Sequence, residues 1–475
     1  MHATPLYRQL ANHYLDAIRS GTLKTGERFP SIRLMMEKHA VSLSTAVQVC
    51  RELEDCGVLE ARPRSGNYIR QPDTLAKPKT APPPPLDRDI YAGIHEQVSL
   101  VLRASQRATI KVNFASAYCA PELYPLKTLQ DHMIKALRRA PAVLGTTGTT
   151  AGHIALRTVL ARRALTAKTH LSAEQIVITH GATEAMNLAL RAVTRPGDIV
   201  AVESPTFYGL LQIIESLNLR VKEVPTSAHA GINLFALEQL LNGPERIKAL
   251  IVMPNLQNPL GSIMPDAHKA RLVQLCAAYN TVLIEDDTYG ELVDTDQPCS
   301  TLKHWDRTDN VIYCASLNKT LAPGLRLGWV SAGRWHARVE MLKHTQSRSC
   351  ETLAQLAVSA FMSTPSYERY LRRLRKTLTR QREQMSAAIL RYFPEGTRVT
   401  RPGGGTLLWV ELPREYSSMV LFHEALKAGI QISPGDIFSN DNRFNHFVRI
   451  GCGAPYSPKV DEALATLGQL LKHQR

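Results

Sequence analysis

A run of prolines decides how this chain can be divided. Residues 71 to 89 read "QPDTLAKPKTAPPPPLDRD". Proline fixes φ and lacks an N–H, so the stretch joins neither a helix nor an interior strand. It reads as an extended, semi-rigid spacer over residues 71–90. A module of residues 1–70 precedes it and a body of residues 91–475 follows. That division suits a chain of 475 residues, which is too long for one ordinary core.

The formal charge of +15 favours polyanionic partners. The first eighty residues hold twelve Lys and Arg against eight Asp and Glu, so charge alone points only weakly to nucleic acid. No apolar run reaches the length of a membrane helix, roughly 18 residues. The start, "MHATPLYRQLANHY", lacks a basic n-region and an apolar stretch, so the expected compartment is the cytoplasm. Eight cysteines form no C-x-x-C pair. They read as buried free thiols rather than a disulfide framework, and no metal site is expected.

In the module, Leu6, Leu10, Tyr14 and Ala17/Ile18 recur at helical spacing. Two short helical patterns follow, "SIRLMMEKHA" and "SLSTAVQVCRELEDCG", joined tightly at Val41-Ser42. In the second, Ala46, Val49, Cys50 and Leu53 form an apolar stripe, with Thr45, Gln48 and Arg51 on another face. Ser42 or Ser44 can cap its start, and Gly57 can end it in a left-handed conformation. "VLEARPRSGNYIR" reads as two short strands. Three helices and a hairpin are the order of a winged helix-turn-helix.

The body alternates short apolar runs with helical patterns. "QIVITHGATEAMNLALRAV" runs from strand through turn to helix, and "IKALIVMPN", "NTVLIEDD" and "NVIYCAS" suit strands buried on both faces. The expected fold is α/β with a mainly parallel sheet, followed after about residue 345 by a smaller α/β domain. Ligands of such sheets sit outside the carboxyl ends of the strands. Asp286, Asn258, Lys319 and the turn Gly181-Ala182-Thr183 all fall at such ends. Singly, each has an ordinary reading as a cap, a turn or a solvated lysine. Their coincidence carries the weight.

Together they resemble the fold-type I, aminotransferase class I/II family of pyridoxal 5'-phosphate (PLP) enzymes, over about residues 110 to 470. "SLNKTLAPGLRLGW" is similar to the family's lysine box, which makes Lys319 the catalytic, Schiff-base lysine. In "EDDTYGE" the resemblance sets Asp286 against the pyridine nitrogen and Tyr289 against the ring hydroxyl. In "PNLQNPLG", Asn258 bonds the same hydroxyl. Ala182, Thr183, Ser316 and Arg326 hold the phosphate. Phe207 in "ESPTFYG" stacks on the ring, with Tyr208 the other candidate. Arg449 in "FVRIG" clamps a ligand carboxylate. A core ion pair for Arg449, a surface pair for Arg326 and plain packing for Phe207 are the alternative readings. The chain departs from the family at Asn318, where a small hydroxyl residue usually precedes the lysine. Cofactor binding is expected to survive this change, and fast proton transfer at the lysine is not.

The module resembles the GntR-type winged helix, through "PLYRQLANHYLDAIRSGTLKTGERFPSIRLM" and "VSLSTAVQVCRELEDCGVLEARPRSGNYI". That resemblance turns Arg33, Ser42, Ser44, Thr45, Gln48 and Arg51 toward double-stranded DNA, with Arg62, Arg64 and Gly66 as the wing. Leu43 and Val47 stand where the family often has arginines, which weakens guanine readout. A GntR-type module, a Pro-rich linker and an aminotransferase-like body together identify the chain as similar to the MocR subfamily of bacterial regulators. The resemblance implies a homodimer that binds DNA and PLP and senses PLP or a small amino compound by Schiff-base exchange at Lys319. The alternative is an active aminotransferase acting on an α-amino acid.

Overall fold

A computed structural model describes residues 5–20, 22–24, 26–62, 65–70, 94–295 and 298–474. The proline-rich segment lies outside them. Two compact units result, residues 1–88 and 89–475.

In the first unit, α1 (Leu6–Arg19), α2 (Ile32–His39) and α3 (Leu43–Asp55) precede the antiparallel pair β1 (Leu59–Arg62) and β2 (Gly66–Ile69). Met35, Ala46, Val49 and Leu53 are fully buried and close a small core with Tyr14 and Phe29. Leu10, Tyr14 and Ile18 of the α1 stripe read in the sequence pack into this core, and Leu6 does not. Ala11 and Tyr14 face the core, while Leu6 is 55% exposed at the helix's first position. Ser42, not Ser44, caps α3: its Oγ accepts the Thr45 N–H at 3.3 Å. Gly57 follows α3 at φ +68°, as its left-handed role requires.

The second unit begins, among the described residues, with the helix Ile94–Arg107, followed by β3 (Val112–Asn113), and is built on an eight-stranded sheet. Its strands are β4 (Val177–Thr179), β5 (Ile199–Ser204), β6 (Arg220–Ser227), β7 (Gly231–Ile232), β8 (Ile247–Val252), β9 (Val282–Asp286), β10 (Val311–Ser316) and β11 (Gly328–Ser331), in the order 4-11-10-9-8-5-6-7. β5, β8 and β10 are buried or nearly so at every residue. Helices cover both faces of such strands, which is why they read as unbroken apolar runs. β10, β9, β8, β5 and β6 pair in parallel. β11 is antiparallel to both β10 and β4, so β4 points the same way as β10.

A smaller antiparallel sheet combines β12 (Arg398–Val399), β13 (Leu407–Glu411), β15 (Ser433–Pro434) and β16 (Phe447–Gly451) in the order 12-13-16-15, while β14 (Ile430–Gln431) pairs with β3. The 28-residue helix Pro365–Tyr392 leads into it. Six of the eight cysteines are buried and all are free. Cys299 is half-buried, and Cys56, just past α3, is exposed against expectation. No described helix is long and apolar enough to cross a membrane.

Candidate functional site

Because β4, β5, β8, β9 and β10 share one direction, their carboxyl ends meet along one edge of the sheet. A cavity of about 360 Å³ opens there. Ala182, Thr183, Phe207, Asn258, Asp286, Tyr289, Ser316, Lys319, Arg326 and Arg449 all line it. Every body residue assigned above to the cofactor or to a ligand carboxylate therefore faces one space.

Lys319 sits in the turn after β10. Ser316 shapes this turn by accepting the Asn318 N–H at 3.1 Å. The Lys319 Nζ lies 3.6 Å from the centroid of the Tyr118 ring and 5.4 Å from that of Tyr289. Burial, then the nearby Arg449 charge, push the amine down to about 7, against the opposing pull of Cys119 and Asp286. Near neutral pH a large fraction of it is unprotonated. Tyr118 is the residue the sequence placed least well. Its local context gives no sign that its ring covers an amine some two hundred positions away. The sequence also offers the loops near Tyr118, Tyr124 and Thr146 to Thr150 for side-chain selection; of these only Tyr118 lines the cavity, while Tyr124 is buried and its hydroxyl accepts the Cys119 N–H at 3.0 Å.

Strand alternation selects one acid from the run Glu285-Asp286-Asp287. Glu285 accepts the N–H groups of Leu302 and Lys303, at 2.7 and 3.0 Å. Asp287 accepts from the Tyr313 hydroxyl at 2.9 Å. Only Asp286 reaches the cavity. Burial raises its pKa, while the Thr288 hydroxyl (2.6 Å) and N–H (3.0 Å) and the Lys319 charge oppose this. Thr288 was not picked out in the sequence, where it looks like an ordinary turn residue. Burial also pushes the Tyr289 phenol well up, so it stays a donor.

Ala182 and Thr183 open the helix Ala182–Val193, whose first N–H groups have no intrahelical partner. Gly181 precedes them at φ +83°, and a Cβ on Gly328 would stand 2.6 Å from the Gly181 carbonyl carbon. Only glycine permits so close a crossing of two backbones. Arg326, left-handed at φ +52°, extends a guanidinium whose Nη2 donates to the His180 carbonyl at 3.2 Å. A helix N-terminus flanked by a guanidinium is a ready seat for an anion.

Arg449 is 2% exposed at the centre of β16. Its Nη1 donates to Asn258 Oδ1 at 3.1 Å, and its Nη2 to the Ala115 carbonyl at 2.7 Å and Ser433 Oγ at 3.2 Å. Burial lowers its pKa, with Tyr208 and Tyr289 opposing. Its Nε has no partner, and no described carboxylate pairs with it. A buried cation without a counter-charge is costly, so the core ion-pair reading falls away and an anion from outside suits the geometry. Phe207 and Tyr208 both line the cavity, with ring centroids 4.8 Å apart.

In the first unit, Arg33, Ser42, Ser44, Gln48 and Arg51 are exposed and Thr45 is half-buried. Ser42 Oγ lies 2.9 Å from the hydroxyls of both Ser44 and Thr45, so part of its polarity is spent on the cap. Leu43 is 58% exposed at the start of α3. Arg62 ends β1, and Arg64 lies outside the described residues. Gly66 begins β2 at φ +100°, and a Cβ there would meet the Arg28 guanidinium at 3.4 Å. Arg28, bridged to Tyr68, is a basic wing neighbour that the sequence reading missed.

Comparison with known proteins assigns both parts of the chain to families. Residues 119–467 match the family model described as aminotransferase class I and II. Residues 6–69 match bacterial regulatory proteins, gntR family. The uncharacterized HTH-type transcriptional regulator YdcR of Escherichia coli is 37% identical over 98% of this chain and 99% of its own length. An α-aminoadipate aminotransferase of Thermus thermophilus, solved with N-(5'-phosphopyridoxyl)-L-leucine, superposes with a TM-score of 0.72 at 28% identity, covering 79% of this chain and 94% of that one. A kynurenine aminotransferase of Pyrococcus horikoshii, solved with PMP, superposes at 0.73 and 27% identity, covering 80% and 94%. Two matched regions in this order, and likeness to a regulator along almost the whole length, leave one assignment. The chain belongs to the GntR-type DNA-binding regulators of MocR architecture, a winged helix-turn-helix joined to an aminotransferase class I and II body.

Proposed function

We propose that this regulator binds PLP in the cavity of its body and senses PLP itself, or an amino compound, by Schiff-base exchange at Lys319. The observation that carries the reading is an amine held down to about 7, sharing one cavity with the half-buried Asp286 and an anion seat. The donor set fits the group. The phosphate suits the helix N-terminus at Ala182 and Thr183, with Ser316 and Arg326 beside it. Asp286 suits a protonated ring nitrogen, whose charge it would stabilise. Tyr289 and Asn258 supply donors for the ring oxygen, and Phe207 an apolar face. Two buried atoms of cavity-lining residues, Arg449 Nε and Asn318 Oδ1, have no partner, and such orphans call for an explanation such as a ligand. When bound, PLP supplies an aldehyde for amines and a ring that withdraws electrons.

The chain's own residues then divide the work. Lys319 holds or yields the aldehyde carbon, Arg449 orients a ligand carboxylate, and Tyr118 covers the amine from the open side. Leu126, Ile134 and Leu144 are exposed, apolar surface of the kind a homodimer would cover. DNA contact falls to Arg33, Ser42, Ser44, Thr45, Gln48, Arg51, Arg62, Arg64 and Gly66. The test is operator binding by the purified protein stripped of PLP, after PLP is restored, and after α-amino acids are added. The reading predicts a shift in DNA affinity at one of these steps. Equal affinity in all three states sinks it.

A working aminotransferase is the second reading, favoured by the free amine beside Arg449. Single-turnover measurement separates the two, since only an enzyme releases a 2-oxo acid.

A further inference from the structure

The anion end of the cavity rests on a buried network to which no role has yet been given. Glu184, in the first turn of the helix Ala182–Val193, turns its carboxylate back past the helix start. Its Oε2 accepts the His180 main-chain N–H at 2.6 Å and the Lys343 Nζ at 3.2 Å. Its Oε1 accepts the Ser347 hydroxyl. Lys343 is wholly buried, on the helix His336–Gln346. Its ammonium also lies 3.6 Å from Cys350 Sγ, itself 3.6 Å from His180 Nδ1. His180, Glu184 and Cys350 are grouped like a set of metal ligands. The cation among them, however, is the lysine, which donates to both Glu184 and Cys350.

The His180 peptide is therefore held from both sides. Glu184 fixes its N–H, and its carbonyl receives Arg326 Nη2 at 3.2 Å. The next residue is Gly181, which aims the helix N-terminus. A buried ion pair of this kind adds little net stability over apolar residues of equal volume, so its use lies in fixing geometry.

We infer that Glu184 and Lys343 are positioning residues for the phosphate seat, setting Arg326 and the helix N-terminus at residues 182–183 through the His180 peptide. The inference rests on the PLP reading above. The full-length protein, stripped of PLP, is titrated with PLP and with pyridoxal, which lacks the phosphate. The proteins are the wild type, the double variant Glu184→Leu/Lys343→Met, which removes both charges together, and Ser347→Ala. Losing one charge-assisted contact predicts PLP binding weaker by about tenfold or more in the double variant, with pyridoxal within about twofold. Ser347→Ala moves the same way by less. Unchanged PLP affinity, or equal weakening of both probes, overturns the inference. If the double variant does not fold, Ser347→Ala decides on the same criterion. A wild type that binds PLP no better than pyridoxal overturns it too. A wild type that binds neither probe sinks the cofactor reading, and this inference with it.

Discussion

Lys319→Ala abolishes covalent uptake of PLP, and the DNA affinity of the variant no longer responds to PLP or to amines. No second described lysine lines the cavity, so no neighbour substitutes for the missing amine. The pH dependence of the wild type follows from the same group. Burial lowers the amine from 10.5 to about 7, and only the free base attacks a carbonyl. The rate of attachment therefore rises with pH through about 7 and levels off above it, where an unperturbed lysine would keep rising toward 10.5. The sign for stability is the same. Between about 7 and 10.5 the unfolded chain binds the extra proton, so the folded protein without PLP gains stability as pH rises across that window, and Lys319→Ala removes this slope. Stopped-flow absorbance and thermal melts between pH 6 and 10 read both effects. Retained covalent uptake in the variant, or a wild-type rate still climbing at pH 9, counts against the account.

Arg449→Ala has the second largest expected effect. The guanidinium is buried, holds three partners and retains an unused Nε–H. Losing a desolvated, charge-assisted contact costs about 3 kcal/mol, on the order of a hundredfold in affinity. The loss falls on ligands that carry a carboxylate. An α-amino acid weakens by that factor, while the amine lacking its carboxylate changes by less than about threefold. Arg449→Lys recovers part of the loss, because the charge returns without the planar fork. Spectral titration of the paired ligands reads the split, and equal losses for both would remove the carboxylate role. Folding also suffers, since Asn258, Ala115 and Ser433 each lose a buried donor.

Which parts of this molecule were legible in the sequence has a physical cause. Parallel strands buried on both faces leave unbroken apolar runs, and their carboxyl ends must meet at one edge. Lys319, Asp286, Asn258 and the turn at Gly181 could therefore be gathered into one site before any coordinates. The period of two explains why Asp286, rather than Glu285 or Asp287, turns inward, but a run of three acids does not reveal its own phase. Arg449 was readable as an arginine in a strand. Its burial without a counter-charge was not, because that depends on what three other elements leave unpaired. Tyr118 over Lys319 and Lys343 on Glu184 were hidden for a related reason. These contacts join segments far apart in the chain, the second across 159 positions, and local pattern carries no trace of such meetings. In the first unit, Ser42 and Ser44 were equal candidates until one side chain was seen to take the cap.

Reduction of the PLP-loaded protein with borohydride, followed by peptide mass mapping, tests the central claim most directly. The account predicts one phosphopyridoxyl group per chain, on the peptide that contains Lys319. A label on any other lysine, or none at all, contradicts it.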